Sequence, residues 1–221
     1  DDVGLLSRTA RKGIKILFDI INDFNKTYGM ALSMKKTYIL TKSETIETWK
    51  VGPQGETVEE ALSATYLGVD LNLSTKNITM GHEGKVIQNA KAKAHTIYGL
   101  TRTGLDRSNL ACELWEKCVI SAIMYCAETA TISKTFIEKL EIIQNAMGRY
   151  ILQLPQSSAK VCGWLDAGLV PMYGRIMTAQ ACFFWKQLHN TEDKLIQECL
   201  EELQSNPTDQ WISQINWIKT N

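Results

Sequence analysis

From Glu83 onward, apolar residues recur every three or four positions and no stretch alternates. That spacing commits most of the chain to helices that must pack on one another. Residues 85–100 carry Val86, Ala90, Ala94, Ile97 and Tyr98 on one side. Residues 109–127 repeat the pattern with Leu110, Leu114, Trp115, Cys118, Val119, Ala122 and Ile123. Ser133 is a side-chain acceptor placed to cap a helix that reaches Leu152, with Ile137, Leu140, Ile143 and Met147 inside it. Gln153-Leu154-Pro155 closes that segment. Pro171 is placed to open another helix, running to about His189. Two shorter helices are expected over residues 194–203 and 210–218.

Before residue 83 the texture is mixed. Residues 8–28 place Ile14, Leu17, Phe18, Ile21, Phe24 and Tyr28 at helical intervals, and Gly29 follows as a stop. Strand formers then dominate residues 37–41, and residues 45–51 alternate around Trp49. Gly52-Pro53-Gln54-Gly55 reads as a turn. Tyr66-Leu67-Gly68-Val69 reads as a short buried strand, with Ile78-Thr79-Met80 as its expected partner. The fold class is therefore α+β: a few strands and one helix up to residue 82, then an all-α bundle. So few strands make a meagre sheet. The chain opens Asp1-Asp2-Val3-Gly4 with no methionine and no cationic segment before an apolar run. The expectation is a piece that begins inside a domain, without a signal peptide.

Bulk composition narrows the function classes. With 44% hydrophobic and 22% charged residues, the chain is no charge-rich disordered tail. No apolar run approaches the ~20 residues of a membrane span. Cys112, Cys118, Cys126, Cys162, Cys182 and Cys199 contain no CxxC pair, so they are expected as free core thiols rather than zinc ligands. His82, His95 and His189 stand apart from one another and read as core or surface residues. Of the six tryptophans, Trp115 and Trp185 are expected to pack between helices rather than stack on bases.

Net charge is zero, from 24 basic and 24 acidic residues, but the total conceals blocks. Residues 1–50 carry +3, 51–83 carry −4, 84–160 carry +4 and 161–221 carry −3. The two basic blocks suit a phosphate backbone, although solvated helix faces of ordinary composition produce the same count.

Asp1-Asp2 ahead of Val3, Leu5 and Leu6 is the one pairing with catalytic potential. Adjacent carboxylates suit Mg²⁺, a hard cation that prefers oxygen ligands, and they are also common on solvated surfaces. The order of segments is more specific than the pair. Asp1-Asp2-Val3-Gly4-Leu5-Leu6 is followed by a helix of about twenty residues. Then come Tyr28-Gly29, Leu32-Ser33-Met34-Lys35-Lys36-Thr37, and Tyr66-Leu67-Gly68. This series resembles the second half of the palm in reverse transcriptases of non-LTR (LINE-like) retrotransposons. Downstream, Ile123-Met124-Tyr125-Cys126-Ala127-Glu128 and Leu165-Asp166-Ala167-Gly168-Leu169-Val170-Pro171 are similar to elements of that family's thumb and the helices after it. Ser33 and Cys126 depart from the residues usual there, Asn and Gly.

The resemblance implies a partial reverse-transcriptase palm over residues 1–82, a few-stranded antiparallel sheet with one helix, then an all-α thumb-like bundle over 83–160 and a helical extension over 161–221. It implies an RNA-directed DNA polymerase that joins dNTPs to a DNA primer on an RNA template, in an intracellular ribonucleoprotein. Asp1 and Asp2 match the Asp-Asp box that holds catalytic Mg²⁺ for two-metal nucleotidyl transfer. Lys36 matches a lysine near the incoming phosphates, and otherwise reads as a solvated strand-end lysine. Tyr66, Leu67 and Gly68 match the segment that grips the primer terminus, and Gly68 otherwise reads as a β-bulge or close packing contact. The fingers and the strand bearing the other metal-binding aspartate are not in this sequence. The chain alone is therefore expected not to polymerise. A non-catalytic nucleic-acid-binding remnant and a helical interaction module remain the alternatives.

Overall fold

The structure, a computed structural model, describes residues 4–5, 10–41, 48–51, 56–75, 77–103, 106–189, 193–205 and 209–220. The chain is mixed α and β, mostly helical, and forms two compact units, Asp1–Gly81 and His82–Asn221.

In the first unit, helix α1 (Ala10–Tyr28) ends where the sequence pattern stops. Gly29 takes φ +65°, and the Met30 amide reaches back to the Asn25 carbonyl at 2.8 Å. That bond satisfies a carbonyl the helix end would leave bare, and only glycine reaches the left-handed region without a Cβ penalty. Phe18 of α1 is buried with Ile39 and Val58, beside Ile14, Leu32, Met34 and Trp49. Ile39 belongs to β1 (Ile39–Leu40), Trp49 to β2 (Thr48–Val51) and Val58 to β3 (Glu56–Ala61). These strands form a sheet in the order β1-β3-β2.

Two expectations change here. The sheet is not purely antiparallel: β2 and β3 are antiparallel, but β1 runs parallel to β3 with Ile39 opposite Glu60. Tyr66-Leu67-Gly68-Val69 is not a buried strand but the tip of a hairpin between β4 (Ser63–Tyr66) and β5 (Val69–Asn72). Leu67 and Gly68 have φ of +48° and +79°. Positive φ at both central residues makes a type I′ turn, whose twist matches that of the flanking strands. Ile78-Thr79-Met80 adds no strand. Its one backbone tie to the hairpin is the Asn72 amide on the Ile78 carbonyl at 2.8 Å, and Met80 already begins α2 (Met80–Thr101).

The second unit holds the main core. Helix α3 (Arg107–Leu114) widens into π-type turns over Trp115–Ile120 and resumes as α4 (Ser121–Met124). The sequence pattern showed one regular helix there. Helix α5 (Lys134–Ile151) runs through the middle of the unit's core, burying Phe136, Leu140, Ile143 and Met147 with Trp115, Val119, Met172 and Ile176. Ser133 caps it as its sequence position implied: its Oγ accepts the Phe136 amide at 3.1 Å. The Glu83 carboxylate in turn accepts the Ser133 amide at 2.8 Å and its hydroxyl at 2.6 Å. Ser133→Ala removes both of these hydroxyl bonds and the one with Thr135 Oγ1 at 3.2 Å. It is expected to lower stability by about 1–2 kcal/mol, read as a shift in the urea midpoint.

Helix α6 (Lys160–Leu165), absent from the sequence reading, crosses α5 where Gly148 meets Gly163. Helix α7 (Met172–Leu188) opens after Pro171 as expected. Helices α8 (Lys194–Ser205) and α9 (Gln210–Thr220) bury Leu200, Trp211, Ile212 and Ile215 with Phe184. Side-chain donors pin the loop over residues 125–132. Gln180 Nε2 donates to the Ala127 and Ala130 carbonyls at 3.1 and 2.9 Å, Trp211 Nε1 to Glu128 at 3.2 Å, and Gln214 Nε2 to Ile132 at 2.7 Å.

Trp115 is fully buried, as expected, but Trp185 is 64% exposed and lies against the His189 ring at 4.2 Å. The five thiols among the described side chains are free, yet not core: Cys118, Cys182 and Cys199 are exposed, and Cys112 and Cys126 half-buried. Burial, aided by Glu116, pushes the Cys112 thiol above its usual 9.0, and burial, aided by Tyr150, raises Tyr98 above 10.0. Both groups hold their protons longer folded than unfolded. Their contribution is therefore complete at neutral pH and is lost as pH climbs past those values. The urea midpoint is expected to fall between pH 8 and about pH 10, and to fall less in Cys112→Ala.

Candidate functional site

The hairpin tip carries three of the sequence-predicted residues, Tyr66, Leu67 and Gly68. Register across β4 and β5 pairs Thr65 with Asp70 and Tyr66 with Val69, and Thr65 Oγ1 donates to Asp70 Oδ1 at 2.7 Å. This cross-strand bond and the two-residue turn leave Tyr66 and Leu67 at the end of a short, defined projection. Tyr66 is 39% and Leu67 52% exposed. The Tyr66 ring is turned onto Gly4. A Cβ built on Gly4 would stand 3.0 Å from the Tyr66 hydroxyl oxygen and 3.3 Å from Cζ. Gly4 is the second residue after Asp2 in the chain. Thus the Tyr66-Leu67-Gly68 segment and the segment that follows the Asp-Asp pair meet, although 61 positions separate Leu5 from Tyr66. Asp1 and Asp2 themselves lie outside the described residues.

Lys36 occupies a 3₁₀ turn, Met34–Lys36, just before β1 rather than a strand end. The Lys36 amide donates to the Ser33 carbonyl at 2.9 Å, as does Thr37 Oγ1 at 3.0 Å, so the end of the turn is tied back to the residue that precedes it. The Tyr38 hydroxyl donates to Lys35 at 3.4 Å. Lys36 is exposed, and its ammonium pairs with no carboxylate among the described residues. A lysine presented this way suits an anionic group such as a phosphate. Nothing places it beside Tyr66.

The basic block over residues 84–160 is smaller in space than in sequence. Lys93 Nζ donates to the Cys118 carbonyl at 2.9 Å. The Arg107 guanidinium lies 3.9 Å over the Tyr150 ring and donates to the Tyr150 carbonyl at 3.3 Å. Arg149 donates to the Ser158 carbonyl at 3.0 Å, and Lys117 pairs with Glu113 along the helix. Sequence counting treats these four cations as free surface charge, whereas they serve the fold. Lys91, Arg102, Lys134, Lys139 and Lys160 are exposed. The Glu113–Lys117 spacing is legible in the sequence, but no signal marks Lys93, Arg107 and Arg149, because their acceptors are backbone carbonyls, which every residue carries.

Among the described residues, no three His, Cys, Asp or Glu side chains gather closely enough to hold a metal ion. Among the described residues no helix is long and apolar enough to cross a membrane. No protein-family model, no curated protein and no solved structure matches the chain.

Proposed function

We propose that this chain is the C-terminal palm and thumb portion of a retrotransposon reverse transcriptase. The contact between Tyr66 and Gly4 carries the reading. In the proposed enzyme, the Tyr-Leu-Gly segment at a primer terminus and the Asp-Asp segment at the reacting phosphates must lie side by side, and residues 4 and 66 do. The exposed Lys36 adds a cation in the same unit. Asp1 and Asp2 are this chain's proposed Mg²⁺ ligands. The ion would lower the charge on the phosphates during transfer of a dNTP to the primer 3′ hydroxyl. Tyr66 and Leu67 are proposed to support the primer end, and the exposed cations of residues 84–160 to contact the template–primer backbone.

The test is primer extension on an RNA template by a polymerase completed with the preceding fingers and palm segments. Extension that depends on Mg²⁺ and is abolished by Asp1→Ala supports the reading. The 221-residue chain alone is expected to bind an RNA–DNA hybrid in a salt-dependent manner without extending it. Binding without extension by the completed polymerase would instead favour a nucleic-acid-binding remnant. Neither binding nor extension would leave a helical interaction module.

A further inference from the structure

We propose that Tyr173, Trp217 and Glu141 form a binding site for a methylated ammonium group, the side chain of a trimethylated lysine on a basic peptide. The site lies in the second unit and does not depend on the polymerase reading. Two exposed rings carry it. Tyr173, in the first turn of α7, is 44% exposed, and Trp217, near the end of α9, is 51% exposed. Their centroids stand 6.0 Å apart and their planes cross at 79°. The exposed pairs Phe24–Tyr28 and Trp185–His189 join residues four apart on one helix, where helix geometry alone makes neighbours. Tyr173 and Trp217 come from different helices, so the fold brings them together while leaving each ring half in water.

Two rings near a right angle make a corner, and the face of each attracts a cation. Glu141 adds the opposite charge. Its Oε1 accepts the Tyr173 amide at 3.2 Å, which sets a carboxylate at the foot of the tyrosine side chain and ties α7 to α5. Among the described residues that carboxylate pairs with no cationic side chain. Helices α7 and α9 already hold one ammonium on an aromatic face, since Lys219 Nζ lies 4.3 Å over the Phe184 ring. Residues 161–221 carry −3, which favours a peptide with further cationic residues and disfavours a phosphocholine headgroup, because of its phosphate. Methylation suits the corner for a physical reason. A bare ammonium is strongly hydrated and loses that water on meeting a ring, whereas a trimethylated one has little to lose.

Calorimetric titration of the 221-residue chain tests this. The probe is a short basic peptide bearing one trimethyllysine. It is expected to bind about tenfold more tightly than the same peptide with unmodified lysine, and than one carrying a tert-butyl group, the neutral copy of the trimethylammonium shape. Trp217→Ala and Tyr173→Ala are each expected to weaken binding about tenfold. Glu141→Gln keeps an acceptor for the Tyr173 amide and removes the charge, so it is expected to weaken binding by a smaller factor. The comparison of the three peptides uses the unsubstituted chain and stands even where a substitution disturbs folding. Equal affinity for the three peptides, or unchanged affinity in a folded Trp217→Ala, overturns the site. Binding to phosphatidylcholine vesicles without binding to the trimethyllysine peptide overturns the choice of a peptide ligand.

Discussion

Gly148→Ala is expected to destabilise the helical unit by about 3 kcal/mol, the upper end of what forced overpacking costs. A Cβ on Gly148 would overlap the Gly163 carbonyl oxygen and stand 2.7 Å from its carbonyl carbon and 3.4 Å from the Trp164 amide nitrogen. All three are backbone atoms of α6, so no side chain can swing aside. The helices α5 and α6 would have to separate along a face that also buries Met147 and Ile151. Alanine is the better helix former by up to about 1 kcal/mol, which offsets only part of the cost. Gly174→Ala on α7 is the control, since a Cβ there meets nothing within 4 Å. It should leave the urea midpoint unchanged or raise it. An unmoved midpoint in Gly148→Ala would show that the two helices do not approach so closely.

Trp115→Ala should cost about 3–5 kcal/mol, the range for deleting a large buried aromatic. Trp115 is fully buried in the core that includes Val119, Leu140, Met147, Met172 and Ile176. It also begins the π-type segment, so the cavity would open where the helix departs from regular hydrogen bonding. The indole N–H has no acceptor among the described residues. Leaving a buried donor unsatisfied costs about 1–3 kcal/mol, which the tryptophan tolerates for its volume. Trp115→Phe removes that donor along with part of the ring, so it is expected to cost less than half of what alanine does. Equilibrium urea unfolding of both variants decides the matter; equal losses would show that the cost does not follow the volume removed.

Helix ends were the most legible feature of the sequence. Ser133, Pro171 and Gly29 act within a single helical turn of their own position, so a linear reading captures them. Strand β3 was missed because Glu56-Thr57-Val58-Glu59-Glu60-Ala61 looks like an acidic loop. It is held as a strand by partners on both sides and by Trp49 Nε1, which donates to the buried Glu60 carboxylate at 2.7 Å. The parallel pairing of β1 was invisible for the same reason: the choice is made by a strand some twenty residues away. Tyr66-Leu67-Gly68 was found as a motif but misread as a strand. Leucine at positive φ contradicts the residue's preference, so composition pointed the wrong way. Helix α6 is only six residues long and shows too little periodicity to register. At the site, residue identities were legible and proximity was not. Tyr66 meeting Gly4 depends on the hairpin register, and the carbonyl-bound cations depend on the packing of the second unit.

Leu67 holds its φ of +48° at the apex of the hairpin. A left-handed leucine sits roughly 1 kcal/mol or more above its comfortable conformation, and asparagine or glycine would relieve that load without altering the turn. The side chain is also half in water, so little burial compensates it. A chain shaped for stability alone would not keep an aliphatic residue at this corner. The hairpin thus carries a standing strain at its apex, and the usual location of such strain is a surface built to meet something else.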